Sequence, residues 1–420
     1  MTITTLGECR FPTPRNLTVP DTVWIPDEIQ WSQGRPPAEV KLFETAGPRA
    51  KLFFDPKQTR AGVVTCGGLC PGMNNVIRSL VHELYHGYGV RDILGFRGGY
   101  RGLDPERGLP PLELNPDLVD DIHQEGGTIL DTSRGPVDTR VAVDHLVHRG
   151  VNLLFTIGGD GTQRGGKELY EEARRRKHPL AVVGIPKTVD NDVMYVARTF
   201  GFATAAAAAR DVITCAHTEA HSVFNGVSLV KLMGRHAGFI AAAASVASQD
   251  VNFCLIPEVP FQLEGVNGLL ACLQRRLVAR HHAVIVVAEG AGQEIVPGET
   301  GQRDASGNVK LQDIGHFLRE RIAAHFKAEQ MEITLRYFDP NYLVRSVPAN
   351  PEDAILCDRF ARSAVHAAMA GKTGLIIGLL HEQFVHVPIE LLGKEQKAVD
   401  PRGDLWRAVL ATTGQPVMFG

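Results

Sequence analysis

Short apolar runs recur along the chain from residue 61 onward, and each stops at glycines or acids. AGVVT (61–65) enters CGGLCPGMNN, after which VIRSLVHELYHG repeats apolar positions at helical spacing. RDILGF (91–96) ends in RGGYRGL, VNLLFTI (151–157) in GGDGT, and LAVVGI (180–185) in PKTVDND. HAVIVVA (282–288) and TGLIIGLL (373–380) repeat the theme. Strands that are apolar throughout are covered on both faces, so the alternation with helices predicts an α/β fold with parallel sheets. Residues 1–60 are Pro-rich with few periodic runs and read as an N-terminal extension wrapped on the main body. In such folds ligands gather beyond the carboxyl ends of the strands, where these glycine turns and acidic clusters all lie.

Composition narrows the class. A chain of 420 residues is too long for one ordinary core, so two domains are expected. The balance of 44 basic against 47 acidic residues offers no bulk attraction to nucleic acid or an anionic membrane. The seven cysteines are dispersed, which fits a reducing compartment; Cys66 and Cys70 lack a second Cys or His pair at zinc-binding spacing. The N-terminal stretch has no apolar core and carries Glu8, so it does not read as a signal peptide, and the run 237–247 is too short to span a bilayer. A cytoplasmic protein is expected.

The turns carry the candidate chemistry. In GGDGT, Gly158, Gly159 and Gly161 let backbone amides approach an anion ahead of a helix N-terminus. Asp160 there would repel phosphate unless a Mg²⁺ stood between them; a tight turn with Asp as a helix cap explains the same residues. A dinucleotide site is disfavoured, because the next strand ends in Pro186-Lys187 with no acid to hold a ribose, and a GxxxxGK[ST] phosphate loop is absent. Gly67 and Gly68 form a second glycine turn, which suggests two walls around one polyphosphate. PKTVDND combines Lys187, Thr188, Asp190 and Asp192: a base, a metal ligand and donors for charged oxygens, the kit of phosphoryl transfer. In the stretch 231–238, Met233-Gly234-Arg235 opens a small-residue helix and could aim Arg235 into a cleft.

Together these stretches resemble the 6-phosphofructokinase family. The carriers are TCGGLCPGMNNVIR (65–78), SRGP (133–136), GGDGTQRGG (158–166), PKTVDND (186–192), VKLMGRHAGFIA (230–241), IPEVPF (256–261) and VAEGAGQ (287–293), in family order. GGDGT alone is shared with NAD and lipid kinases, which do not explain the Met-Gly-Arg segment. The resemblance implies two Rossmann-like three-layer domains with mainly parallel sheets. These are residues 61–203 plus about 345–395 for the nucleotide, and 204–344 plus about 396–420 for the sugar phosphate. It implies transfer of the γ-phosphoryl of ATP to the 1-hydroxyl of fructose 6-phosphate, with Mg²⁺, by a cytoplasmic, allosteric homotetramer or homodimer. Gly67, Gly68, Arg134, Gly159, Asp160, Gly161, Thr162 and Lys187 would meet the nucleotide, and Asp160 and Asp192 the metal. Asp190 would be the general base, with Thr188, Arg235 and Arg134 also catalytic. Thr188, Asp190, Asp192, Met233, Gly234, Arg235 and Glu289 would hold the sugar, and Arg345, Arg336 and Tyr342 would reach its 6-phosphate.

Two departures separate the chain from the common bacterial enzymes: Asn225-Gly226 stands where they carry Arg, and Tyr342 where they carry a phosphate-binding His. Both, with YFDPNYLVR and the extension, look like the plant and trypanosomatid branch. The donor is read from two positions. Pyrophosphate-using relatives place a second Asp after the motif Asp, where it would crowd the α-phosphate of ATP; Gly161 leaves that space open. Lys187 is the pyrophosphate-type residue, a mixture the ATP-using plant and trypanosomatid enzymes share. ATP is therefore expected, with a pyrophosphate-dependent phosphofructokinase as the alternative. A non-catalytic nucleotide-sensing paralogue is the reading from another class; loss of Asp190 or Arg235 would mark it, and both are present.

Overall fold

The computed structural model describes residues 1–30, 40–298, 309–393 and 395–420. It resolves into two compact units: Met1–Thr188, Val193–Gly201 and Ser346–Glu395 form one, and Val189–Asp192, Phe202–Arg345 and Gln396–Gly420 the other.

The first unit is built on a sheet whose strands run in the order Gln383–Pro388, Leu375–Leu380, Ala181–Pro186, Leu153–Gly158, Arg60–Thr65, Asp92–Phe96 and Leu112–Glu113. Its inner pairs are parallel and only the edge strands Gln383–Pro388 and Leu112–Glu113 run antiparallel. LLFTIG and AVVGIP are buried at every position, as strands covered on both faces must be. The chain leaves Arg60–Thr65 toward Asp92–Phe96 and returns on the other side at Leu153–Gly158, so strand order reverses between these two neighbours. That reversal is the crevice where doubly wound sheets bind ligands. The helices Met73–His82 and Asp160–Arg175 begin just beyond those strands.

The N-terminal extension belongs to this unit. Thr4–Thr5 pairs with Lys372–Thr373, Phe11–Pro12 with Lys51–Leu52, and Trp24–Pro26 with Leu42–Glu44. Phe43 is wholly buried, and beside it Glu44 accepts hydrogen bonds from Lys372 (2.5 Å) and Arg49. His386 Nδ1 lies 3.4 Å from the same carboxylate. Burial alone would raise the Glu44 pKa, but His386, Lys372 and Arg49 outweigh it and hold the carboxyl far below its usual range.

The second unit carries a smaller, wholly parallel sheet in the order Phe253–Leu255, His282–Ala288, Gly226–Leu232 and Thr334–Phe338. One face is covered by a core in which Leu229, Ile285, Leu273, Leu318 and Phe326 are buried. The helices Phe202–His221 and Phe239–Ser248, rich in alanine, pack against each other. Asn225, in the left-handed region at φ 43°, and Gly226 turn the corner into the sheet. A Cβ on Gly226 would stand 2.1 Å from the Ala220 carbonyl oxygen, so a glycine is required there. Among the described residues no helix is long and apolar enough to cross a membrane.

Candidate active site

The two glycine turns of the first unit open from the strands that flank the reversal. The first is tied down by two backbone bonds and one hydroxyl: Cys66 N–H donates to Ile157 O (2.9 Å), Gly67 N–H to Ser133 O (3.1 Å), and the Thr132 Oγ1 hydroxyl to Gly67 O (2.7 Å). Gly67 has φ 88°, which only glycine adopts without strain. The same bonds bring the loop carrying Arg134 against this turn, with Arg134 exposed one residue beyond Ser133.

The second turn runs through Gly158 and Gly159 into the helix that starts at Asp160. Its geometry separates the glycines by role. A Cβ on Gly158 would overlap Thr162 Oγ1 at 2.1 Å, so this glycine serves packing. Gly161 is different: only Arg164 Nη2, at 3.7 Å, lies within contact of a Cβ there, and the surrounding space is open. Thr162 is buried, and its side chain lies close enough to the Cys66 thiol to act on it across the two turns. Burial pushes that thiol up to about 12, which leaves Cys66 a packing group rather than a nucleophile.

Lys187 closes the constellation from a third strand. Its backbone N–H donates to Gly158 O (3.0 Å), and its buried ammonium donates to Gly68 O (2.6 Å). A Cβ on Gly67 would meet that ammonium at 3.3 Å and one on Gly159 the Lys187 carbonyl at 3.4 Å. Gly67, Gly68, Gly159 and Lys187 are thus brought together, with Asp160 at the helix N-terminus beside them. Amides, an ammonium and a helix dipole in one crevice suit a polyphosphate.

After Thr188, whose carbonyl accepts from Thr199 Oγ1 (2.7 Å), the chain passes directly into the second unit at Val189. Asp190 is partly buried and lies in the field of the Arg235 backbone amide and guanidinium. Burial, then the negative charges of Asp192 and Glu289, push its carboxyl well above the carboxylate range; the Arg235 amide and guanidinium only partly oppose this. The Met233-Gly234-Arg235 turn is locked to the turn after His282–Ala288, with Gly290 N–H donating to Gly234 O (3.0 Å) and Glu289 N–H to Leu232 O (2.8 Å). Gly234 has φ 127°, and a Cβ on Gly290 would stand 1.9 Å from Arg235 O. Glu289 is raised by burial and by Asp339, against the cations Arg235, Lys231 and Arg345. Asp190, Asp192, Arg235, Glu289 and Arg345 therefore share one electrostatic neighbourhood.

The remaining expected phosphate contacts are displayed outward. Arg336 is exposed on the edge strand and pairs with Glu219 at 3.1 Å. Tyr342 is 75% exposed, and the Arg345 guanidinium lies over its ring at 4.6 Å. Asn225 is buried, its amide donating to Glu332 O (3.0 Å), so it shapes the corner instead of supplying a cation.

Sequence reasoning passed over three residues here. Lys231 is held by Asp339 (2.9 Å) and Asp313 (3.3 Å). Glu258, in the IPEVPF stretch, accepts from Gly238 N–H (2.9 Å) and from Val399 N–H (2.7 Å). Lys397 donates from Nζ to Asn191 Oδ1 (2.9 Å) and from its backbone N–H to Asp192 O (2.9 Å). Burial, partly offset by Asp192, pushes the Lys397 ammonium down to about 7. No glycine turn or apolar strand flags the tail around Lys397; only an acidic loop in want of a partner could have drawn attention to it.

Among the described residues no cluster of three or more His, Cys, Asp or Glu side chains is arranged to hold a metal. Mg²⁺ needs none: it keeps several waters and binds one or two carboxylates together with substrate phosphates. Asp160, a hard oxygen donor among backbone amides, fits that ion in its unit, as Asp192 does in the other.

Parallel sheets with ligand-competent turns at their carboxyl ends, around a strand-order reversal, define a doubly wound α/β protein with two such units. The family profile described as "Phosphofructokinase" matches residues 60–368, and the chain belongs to that family. An ATP-dependent 6-phosphofructokinase of Borreliella burgdorferi is 50% identical over 385 residues, 90% of this chain and 86% of its own. ATP-dependent 6-phosphofructokinase 7 of Arabidopsis thaliana is 48% identical over 380 residues, covering 90% and 78%. The Trypanosoma cruzi enzyme of the same description is 47% identical over 375 residues, covering 89% and 76%. The expected likeness to plant and trypanosomatid members thus holds, alongside a slightly higher identity to a bacterial one. The crystal structure of a pyrophosphate-dependent phosphofructokinase from Marinobacter aquaeolei shares the fold, with TM-score 0.69 at 20% identity over 86% of this chain and 92% of its own.

Proposed function

We propose that this protein is an ATP-dependent 6-phosphofructokinase, transferring the γ-phosphoryl group of ATP to the 1-hydroxyl of fructose 6-phosphate to give fructose 1,6-bisphosphate. The observation that carries the reading is the setting of Asp190. A partly buried carboxylate beside Arg235, raised in pKa by its surroundings, can take a proton from a sugar hydroxyl as the new P–O bond forms. Arg235 and Thr188 then stabilise charge on the transferring oxygens, while Glu289 and Arg345 hold the sugar phosphate. Lys187 and the turns at Gly67–Gly68 and Gly159–Gly161 bind the donor's phosphates, with Arg134 reaching in from its exposed loop. Asp160 in the first unit and Asp192 in the second are the carboxylates that would hold Mg²⁺, which would supply neutralisation of phosphate charge. ATP is favoured over pyrophosphate because the space at Gly161 is open. The reading carries with it a cytoplasmic homotetramer or homodimer.

A coupled assay that detects fructose 1,6-bisphosphate tests the proposal. Product should form from ATP and fructose 6-phosphate with Mg²⁺, stop in excess chelator and resume when Mg²⁺ is restored. Absence of product at saturating substrates would overturn it, and full activity in chelator would remove the metal from the scheme.

A further inference from the structure

Asn191 sits between the two acids of the proposed site in the left-handed region, at φ 56°, a conformation that costs a non-glycine residue energy unless its surroundings enforce it. The enforcing contacts come from a segment 206 residues away in sequence. Within the second unit the Lys397 ammonium lies 5.2 Å from the centroid of the Phe239 ring and 2.9 Å from Asn191 Oδ1. Its backbone N–H simultaneously holds Asp192 O at 2.9 Å. Two residues on, Val399 N–H donates to Glu258 Oε1 (2.7 Å), the carboxylate that also caps Gly238 at the start of the helix following Met233-Gly234-Arg235. The segment 397–399 is therefore bonded on one side to the loop bearing Asp190 and Asp192. On the other side it reaches, through Glu258, the start of the helix that follows Arg235.

We propose that Lys397 is a positioning residue for phosphoryl transfer: through Asn191 and Asp192 it holds the acidic loop in the conformation that aims Asp190. Its bond to Asn191 compensates the left-handed backbone, and its amide fixes the Asp192 peptide. Glu258, by binding Val399, keeps the strap in register with the Arg235 turn. Lys397 touches neither substrate in this role. The inference rests on the proposed kinase reading, since it is that reaction's base which is being aimed.

The test is a double-mutant cycle on the full-length enzyme with Lys397→Met, Asn191→Ala and the pair, measured as kcat and KM, with melting temperatures for each. Each single variant should lower kcat about 10- to 100-fold, the usual result of a small misplacement at the reacting centre, with KM for ATP nearly unchanged. The double variant should be no worse than the worse single one, because both remove the same constraint. Lys397→Arg, which keeps a donor, should recover most of the rate. Strictly additive losses in kcat, or wild-type kcat in Lys397→Met, would overturn the proposal. If Lys397→Met does not fold, Lys397→Gln, whose shorter neutral side chain does not span to Asn191, carries the same cycle with and without Asn191→Ala. An inactive wild type would instead overturn the kinase reading itself, so the two failures are distinct.

Discussion

Gly161→Asp isolates the choice of phosphoryl donor. Position 161 is the second residue of the helix that starts at Asp160, its φ is not in the left-handed region, and a Cβ there meets only Arg164 Nη2 at 3.7 Å. The fold therefore accepts the side chain. In a first helical turn an added acid and the loss of a glycine together favour the helix by roughly 0.5–1.5 kcal/mol, so the melting temperature should hold or rise. The ligand fares differently. A carboxylate about 5 Å from a phosphate charge, at an effective dielectric of about 20, meets a repulsion of about 3 kcal/mol, or about 200-fold in kcat/KM for ATP. Steric crowding of the α-phosphate adds to this. Steady-state kinetics with ATP varied, beside calorimetric titration of fructose 6-phosphate, separates the effects: the first should collapse while sugar affinity stays within about twofold. A folded variant with unchanged kcat/KM for ATP would refute the steric argument.

Asp190→Asn should lower kcat about 10²- to 10⁴-fold, as loss of a general base does, with near-normal turnover removing it from that role. Only the deprotonated carboxyl accepts the proton, so wild-type kcat should climb as pH rises through a pKa above the ordinary carboxylate range, and residual activity of the variant should not. The Asp190 pKa is raised in the folded state, so wild-type stability should fall as pH rises from the unfolded value toward the folded one; melting curves above neutrality should find the Asn variant at least as stable. Glu44→Gln leaves the buried Lys372 and Arg49 with the exposed Asp21 as their remaining carboxylate and should cost up to about 3 kcal/mol, read by denaturant unfolding. The wild-type contribution of Glu44, whose folded pKa is depressed, is present above the ordinary carboxylate pKa and should be lost as pH falls below it.

The apolar runs carried most of the architecture. VNLLFTI and LAVVGI became fully buried neighbouring strands because a strand without polar alternation has no face to give to water. The glycine turns at 67–68 and 158–161 were legible for the same reason: they end such strands. What spacing could not supply was the division of labour within a turn. Gly158 and Gly161 look alike in sequence, yet one packs on Thr162 and the other faces open space. Thr162 turned out to be buried against Cys66, a contact between two separate strand ends. Lys397 and Glu258 were invisible because their partners, one side-chain amide and otherwise backbone groups, lie far away in sequence, and nothing in EQKAVDPRG marks a lysine as bound. Asn225-Gly226 was legible as a departure, but its reason, a corner with an Ala220 carbonyl in the way of any side chain, is purely spatial.

The central claim is that this site moves a phosphoryl group from ATP, with Gly161 admitting the nucleotide. The most direct test is kcat/KM for ATP and for pyrophosphate, each with saturating fructose 6-phosphate and Mg²⁺ on one preparation of wild-type enzyme. ATP should support rapid formation of fructose 1,6-bisphosphate and pyrophosphate far slower formation. Pyrophosphate serving as well as ATP, or better, would contradict the account.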